Sequence, residues 1–343
     1  KTGTWLHADD WPRYVADCRA AGTARHLCVP GVELGWETDD ARRKAEGWFD
    51  TKWYPRDGAA PFDESFFAGR TYFATLRALR DRGRVVIAHI DQGAPLALLS
   101  GDEIAGLEVR WDIEETRPLF GRPSLAHWDR MLAAGRRVSL SSGSDAHQPD
   151  EWAGSGLRTV LPAAARDAES LVAAVAAGRS YLSGTWHPDC YAALGCPQHP
   201  NTVAPGETRF TPWWDFKGVP ALAGRDPKEV IRAALPDVLA RGRCRREDHP
   251  ELLAFTLDGV SSGGDARAAA RVEVRAAWRT NAPLNAARLI ADGGVVYETH
   301  RGTELVEVLD LRGKRSVRLE VEAEDPADPS LREGLLANPV YLR

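Results

Sequence analysis

VSLSSGSDAH, residues 138–147, joins a short apolar run to a carboxylate and an imidazole, Asp145 and His147, two residues apart. The small residues around Gly143 allow the backbone to turn sharply, so that both side chains can face one centre. Carboxylate oxygens and imidazole nitrogens are ligands that divalent metals accept. The stretch therefore predicts a strand whose end carries some of the ligands of a metal site.

Two further strand-like runs end in the same kinds of residue. VPGVE, residues 29–33, ends at Glu33, and VVIAH, residues 85–89, ends at His89. In a parallel α/β barrel such strand ends converge on one face, where the active site forms. A single histidine after an apolar run is more often structural, and Asp-x-His also occurs by chance. Three strand ends of this type together favour a metal site.

Helix-like segments alternate with these short runs over the first half of the chain. Helices are predicted at residues 10–21, 66–82, 123–134 and 167–177, and strands at 26–34, 84–90, 106–111, 137–142 and 157–161. Helices that alternate with short buried strands are typical of a parallel sheet or barrel. The first half is thus predicted to be an α/β domain.

The pattern changes near residue 185, where the helix alternation stops. Apart from a helix predicted at 227–241, the second half contains β-rich runs separated by turn residues, at 268–277, 287–291, 294–299, 304–310 and 316–323. Short strands at this spacing favour a small antiparallel β-sandwich. We predict two domains, an α/β domain over 1–185 and a mainly β-sandwich domain over 186–343 with a helical insertion.

Composition excludes several classes of protein. A net charge of -5 over 343 residues gives no reason to expect nucleic-acid binding, and no apolar run is long enough to suggest a membrane span. Five scattered cysteines argue against a disulfide framework. The composition resembles a GC-rich bacterial coding bias, and it leaves the compartment open between cytoplasm and periplasm or secretion.

Several motifs, in this order, resemble the PHP (polymerase and histidinol phosphatase) superfamily: VPGVE, VVIAH, GLEV and GSDAH. The segment AAVAAGRSYLS and the late ANPVY, residues 337–341, resemble its CehA/McbA-type branch, named for carbamate-pesticide hydrolases. The resemblance implies a distorted seven-stranded β/α barrel that holds two or three divalent metals, followed by a β-sandwich. Zinc, manganese or iron would suit the oxygen and nitrogen donors.

The resemblance also implies roles for particular residues. Glu33 would be a metal ligand, with a bridging and catalytic role, and His89, Asp145 and His147 would complete the ligand set. Asp145 would also carry the proton, and Glu108 of GLEV would orient the site. The expected reaction is hydrolysis of a small-molecule ester, either a phosphoester or a carbamate or carboxylic ester, by metal-activated water. Oligomerisation is compatible with this prediction.

The chain departs from the family pattern in its first strands. The family opens with an H-x-H strand and a second strand that ends in T-D-H, and neither motif is present. We expect these strands to lie upstream of Lys1. The alternative is a degenerate PHP scaffold with a non-catalytic binding or structural role. A third possibility, held lower, is that the β-sandwich carries the main role as a carbohydrate-binding or assembly module.

A second group of candidate ligands follows the predicted domain boundary. His187, Cys190, Cys196 and His199 have a symmetric spacing that could hold a structural zinc. A disulfide between the two cysteines, a loop that reaches over the active site and a chance cluster are equally compatible with the sequence.

Overall fold

A computed structural model describes residues 12, 15–16, 20, 29, 31–34, 51–56, 66, 69–88, 103–110, 122–143, 157–161, 167–186, 249–327 and 332–343. Over these residues the chain is a mixed α/β protein in which strands outnumber helices. The α/β class predicted from the sequence is confirmed at this level. In the described ranges, no helix is both long and apolar enough to cross a membrane.

Five strands of the first half form one sheet, in the order β1-β2-β3-β4-β5. They are β1 (Val32–Leu34), β2 (Thr51–Pro55), β3 (Gly83–Ile87), β4 (Gly106–Arg110) and β5 (Ser139–Gly143). β3, β4 and β5 run parallel, whereas β1 and β2 pair antiparallel with each other and β2 pairs antiparallel with β3. Over the described residues this sheet stays open, because no ladder joins β5 back to β1.

In the described part of the chain, three helices have defined bounds: α1 (Tyr72–Arg82), α2 (Arg122–Ala133) and α3 (Ala168–Ala176). α1 begins at Thr71, whose hydroxyl accepts a hydrogen bond from the Ala74 amide at 3.3 Å. Such a cap satisfies one of the free amides of the first turn. Of the predicted helix 66–82, α1 covers Tyr72–Arg82, and Gly69 before it adopts a left-handed φ of 71°.

α1 and α2 cover one face of the five-stranded sheet. Trp53 is fully buried there, and its indole N–H donates to Leu79 O at 3.0 Å. Trp128 of α2 is also fully buried and donates to Val138 O at 2.8 Å. The apolar side chains are therefore removed from water while both indole donors keep a partner.

The second sheet has eight strands and includes residues from both halves of the chain. Its members are β6 (Leu157–Val160), β7 (Tyr181–Trp186), β10 (Asp265–Ala266), β12 (Leu284–Ala291), β13 (Gly294–Thr299), β15 (Ser316–Glu324), β16 (Arg332–Ala337) and β17 (Val340–Leu342). β7 pairs with β16 over Tyr181–Trp186, so the predicted boundary near residue 185 falls inside a strand of this sheet. The division into two domains stays a prediction.

The third sheet packs against the second. It contains β8 (Glu251–Leu257), β9 (Val260–Ser261), β11 (Val272–Arg279) and β14 (Glu304–Leu309), in the order β14-β11-β8-β9. One apolar core is shared by both sheets, with Val274 and Trp278 contributed by one and Leu289 and Leu319 by the other. Two sheets around one core form a sandwich. The sequence predicts an antiparallel sandwich, but one pair of strands differs, because β10 runs parallel to β17.

Candidate functional site

One edge of the five-stranded sheet gathers the ends of its strands. Leu34, in β1, pairs with Thr51, and Thr51 pairs with Ile87 at the end of β3. On the other side of β3, the parallel pairing continues until Arg110 lies beside Gly143, so that β4 and β5 end together. Because the carboxyl ends of parallel strands usually carry the functional loops, this edge is the candidate functional site.

The two faces of the sheet differ in polarity. The face that contacts the helices carries fully buried side chains such as Ile87 and Leu107. The opposite face carries Lys52, Glu108 and Ser141, since successive residues of a strand point to opposite faces. A polar face next to an edge of strand ends provides the donors and acceptors that a binding or catalytic site requires.

Lys52 and Glu108 form the main charged contact on this polar face. The Lys52 ammonium donates to Glu108 Oε2 at 2.5 Å, and the carboxyl side chain is only 5% exposed. A carboxylate buried to this degree must be paired with a cation, because an uncompensated charge in the interior is costly. The Lys52 ammonium therefore neutralises the buried charge of Glu108 and holds its carboxylate in one orientation.

The position of Glu33 is related to this ion pair by the strand register. In β1, Glu33 is the direct partner of Lys52 in the neighbouring strand. The next strand continues the row, since Lys52 is in turn the partner of Val86 in β3. Of the residues predicted to bind metal, Glu33 is thus located by its backbone at a defined position in the sheet.

The other predicted ligands, His89, Asp145 and His147, lie outside the described residues. The same holds for the second candidate group at His187, Cys190, Cys196 and His199, and for the helix predicted at 227–241. Within the ranges that are described, no three His, Cys, Asp or Glu side chains group together in a way that could hold a metal ion.

Lys52 is a residue of the site that sequence reasoning missed. It lies in Thr51–Pro55, which alternates between buried and more exposed side chains but carries a proline, and the sequence predicts no strand there. The signal that could have found it is the alternation of Thr51 and Trp53 with Lys52 and Tyr54, which is typical of a half-buried strand. Pro55 weakens that signal because proline is depleted in strands.

Comparison with known proteins adds no assignment. No protein-family model matches the chain, and neither the curated proteins nor the solved structures give a match.

Proposed function

We propose that the chain is a metal-dependent hydrolase of the PHP type, which uses metal-activated water to cleave an ester-like bond. In this proposal the five-stranded sheet belongs to a distorted seven-stranded β/α barrel. Glu33, His89, Asp145 and His147 bind the metal ions at its strand ends. The substrate is a small molecule, and its scissile bond is a phosphoester or a carbamate or carboxylic ester.

The observation that supports this proposal best is the common edge of the strand ends. In the sequence, His89 follows the end of β3 at Ile87 by two residues, and Asp145 follows the end of β5 at Gly143 by two residues. Glu33 lies within β1, whose last residue pairs with the start of β2 at the same edge. Three separate strands thus lead to the same edge of the sheet, and in the sequence a carboxylate or an imidazole lies in or just after each of them.

The chemistry of the proposed ligands suits divalent metals such as zinc, manganese or iron. Two carboxylates and two imidazoles give the hard and borderline donors that these ions accept. Such an ion, when bound, supplies a water molecule acidified toward neutrality and polarises the scissile oxygen. In the protein itself, Asp145 is proposed to take up and return the proton.

The ion pair on the polar face has a supporting role in this proposal. Glu108 is engaged by Lys52 at 2.5 Å, so we assign it to orientation of the site rather than to metal binding. The two charges cancel, which leaves the negative charge of the site to the proposed ligands. Groups of this kind around a metal site commonly fix the ligands and tune their basicity.

The first experiment measures metal content and ester hydrolysis in the same preparations. Wild-type protein and the double variant Asp145→Asn/His147→Gln are purified without added metal and examined by elemental analysis. Each is then assayed with manganese, zinc or iron(II) on p-nitrophenyl phosphate, bis(p-nitrophenyl) phosphate, p-nitrophenyl acetate and an aryl N-methylcarbamate. We expect metal in the wild-type protein, its loss in the variant, and hydrolysis of one ester class by the wild-type protein alone.

A matched control uses the same substitutions at exposed positions. Asp81 has a side chain 70% exposed and His300 one 66% exposed, and neither belongs to the proposed ligand set. The Asp81→Asn/His300→Gln variant should keep metal content and activity. A folded wild-type protein that binds no metal and cleaves none of the esters would overturn the proposal and favour a non-catalytic scaffold.

A further inference from the structure

The outer edge of β5 is the feature from which a further inference follows. On the inner side of β5, which faces β4, the Ser139 amide donates to Ala105 O at 3.4 Å and the Ser139 hydroxyl to the same oxygen at 3.1 Å. The β4 ladder continues on this side as far as Gly143. On the other side, among the described residues, no strand forms a ladder with β5.

The side chain of Asn338 makes the hydrogen bonds to the Leu140 backbone that a neighbouring strand would otherwise make. The Leu140 amide donates to Asn338 Oδ1 at 2.6 Å, and Asn338 Nδ2 donates back to Leu140 O at 3.0 Å. The same Nδ2 lies 3.1 Å from Ser180 O and 3.0 Å from Ser180 Oγ. Asn338 is 1% exposed, so its amide group provides both the donor and the acceptor that this buried backbone position needs.

Thr159 bonds the backbone of β5 in the same way at Ser142. The Ser142 amide donates to Thr159 Oγ1 at 2.8 Å, and that hydroxyl lies 3.4 Å from Ser142 O and 3.0 Å from Ser142 Oγ. Leu140 and Ser142 are alternate residues, so their backbone groups point to the same side of the strand. Both are therefore bonded by side chains instead of by a neighbouring backbone.

These two side chains come from the strands of the eight-stranded sheet and from one connection between them. Thr159 lies in β6, and Asn338 lies in the connection between β16 and β17. These two side chains hold β5 in one register relative to the eight-stranded sheet. Shifting β5 by one residue would break all of their bonds to its backbone. The chain leaves this fixed strand at Gly143, directly before the segment that contains Asp145 and His147.

We infer that Thr159 and Asn338 are positioning residues of the proposed metal site, which act through the backbone of β5. The inference rests on the proposed function, because it assigns the sandwich side of the molecule a role in placing Asp145 and His147. It predicts that loss of the side-chain bonds weakens metal binding even where the protein stays folded.

Thr159 is suited to the test because its substitution by valine keeps the shape and removes only the hydroxyl. Thr159→Val is compared with Thr159→Ser, which retains the hydroxyl, and with Thr299→Val, in which a threonine that bonds Arg301 in an exposed turn is changed in the same way. Metal affinity is measured by competition with a chromophoric chelator, and folding by thermal melting. Hydrogen exchange of the backbone amides of residues 139–143 is followed by mass spectrometry.

We expect Thr159→Val to lower metal affinity about 10- to 100-fold, the usual effect of changing a residue that supports a metal ligand. Thr159→Ser and Thr299→Val should bind metal like the wild-type protein, and residues 139–143 should exchange faster only in Thr159→Val. Equal affinity of Thr159→Val and wild type would overturn the inference while the proposed function stands.

If the wild-type protein itself binds no metal, the proposed function fails and amide exchange decides the remaining question. Faster exchange of residues 139–143 in Thr159→Val than in Thr159→Ser would still support the fixing of β5 by this side chain. Unchanged exchange would overturn that as well.

Discussion

Arg318 and Asp129 form a two-point ion pair that joins β15 to α2. Arg318 Nε lies 2.8 Å from Asp129 Oδ1, and Nη2 lies 2.9 Å from Oδ2. Nη1 donates to Glu320 at 3.1 Å, and the guanidinium lies 5.3 Å from the ring centre of Trp128. The Arg318 side chain is only 3% exposed, so this cation is a buried link between the helix layer and the eight-stranded sheet.

Arg318→Met should destabilise the protein by about 3 kcal/mol, because it leaves Asp129 and Glu320 without their shared cation. Urea denaturation followed by tryptophan fluorescence measures this change. Arg279→Met is the control, since Arg279 is 60% exposed in its ion pair with Glu251 and exposed pairs contribute less than about 1 kcal/mol. Equal losses in the two variants would contradict the assigned importance of the buried pair.

Tyr341 makes stability depend on pH in the alkaline range. Burial raises the pKa of Tyr341 to about 12, while the charge of Arg137 lowers it somewhat and that of Asp265 raises it. In the unfolded chain a tyrosine ionises near a pH of about 10. The folded state thus favours the neutral phenol, so its contribution is complete below a pH of about 10 and is lost as the pH rises from about 10 to about 12.

Two pH units correspond to a loss of about 3 kcal/mol over this window. Tyr341→Phe cannot ionise and keeps the ring that Arg137 covers at 4.3 Å. The free energy of unfolding, measured in urea at several pH values between about 9 and 12, should therefore fall less steeply in Tyr341→Phe than in the wild type. Other alkaline titrations occur in both proteins, so parallel curves would show that Tyr341 is not the cause.

Gly83 should not tolerate a side chain, because the backbone of β2 approaches it closely. A Cβ at Gly83 would lie 2.3 Å from Tyr54 O and 2.5 Å from Trp53 Nε1. Gly83→Ala is expected to cost about 1 to 3 kcal/mol through forced displacement of β2. In Gly294→Ala the nearest atom is Ala291 O at 3.6 Å, an ordinary contact, so thermal melting should show little change in that control.

The Lys52–Glu108 pair can be tested by a double-mutant cycle. Lys52→Met leaves the carboxylate of Glu108, 5% exposed, without this cation and should destabilise the protein by about 2 to 3 kcal/mol. Lys52→Met/Glu108→Leu removes both charges and should recover most of that loss. Chemical denaturation of the wild type, the single variants Lys52→Met and Glu108→Leu, and the double variant gives the coupling energy. Additive effects of the two substitutions would argue against a direct interaction.

The elements that are predicted best from the sequence are those that local patterns define. The strand at 294–299 has the predicted bounds, and Asp292 and Gly293 before it both adopt positive φ, as a tight hairpin turn requires. The helix predicted at 167–177 agrees closely with α3, Ala168–Ala176, and its first turn is capped by Asp167. Turn residues and caps act over a few positions, so they are readable from a single sequence.

The elements missing from the prediction, or only partly predicted, are ones whose place depends on partners elsewhere in the chain. β7 contains Gly184 in its middle and gains its place by pairing with β16, about 150 positions away in the chain. β2 is also missing from the prediction. Pro55 weakens its local strand pattern, and the strand is stabilised by pairing with β1 and β3 on its two sides. No local pattern shows that β10 and β17 would run parallel.

The candidate site shows the same division. Glu108 receives an orienting role through its motif, but Lys52, the cation at 2.5 Å from it, carries no motif. Asn338 stands out in the sequence only within ANPVY, a segment that resembles a motif of the PHP superfamily, whereas its bonds to Leu140 span 198 positions of sequence. Long-range side-chain bonds of this kind follow from the fold and cannot be predicted from spacing.

The bonds of Asn338 to β5 also bear on how the chain reaches its folded state. During synthesis, the backbone of Leu140 in β5 must wait until 198 further residues have been made before its partner Asn338 exists. Contacts so far apart in sequence form late, since closing a long loop costs entropy before any contact is gained. Leu140 should therefore reach its final hydrogen bonding only after the second half of the chain has been made, so the outer side of β5 at this residue stays unsupported in a nascent chain.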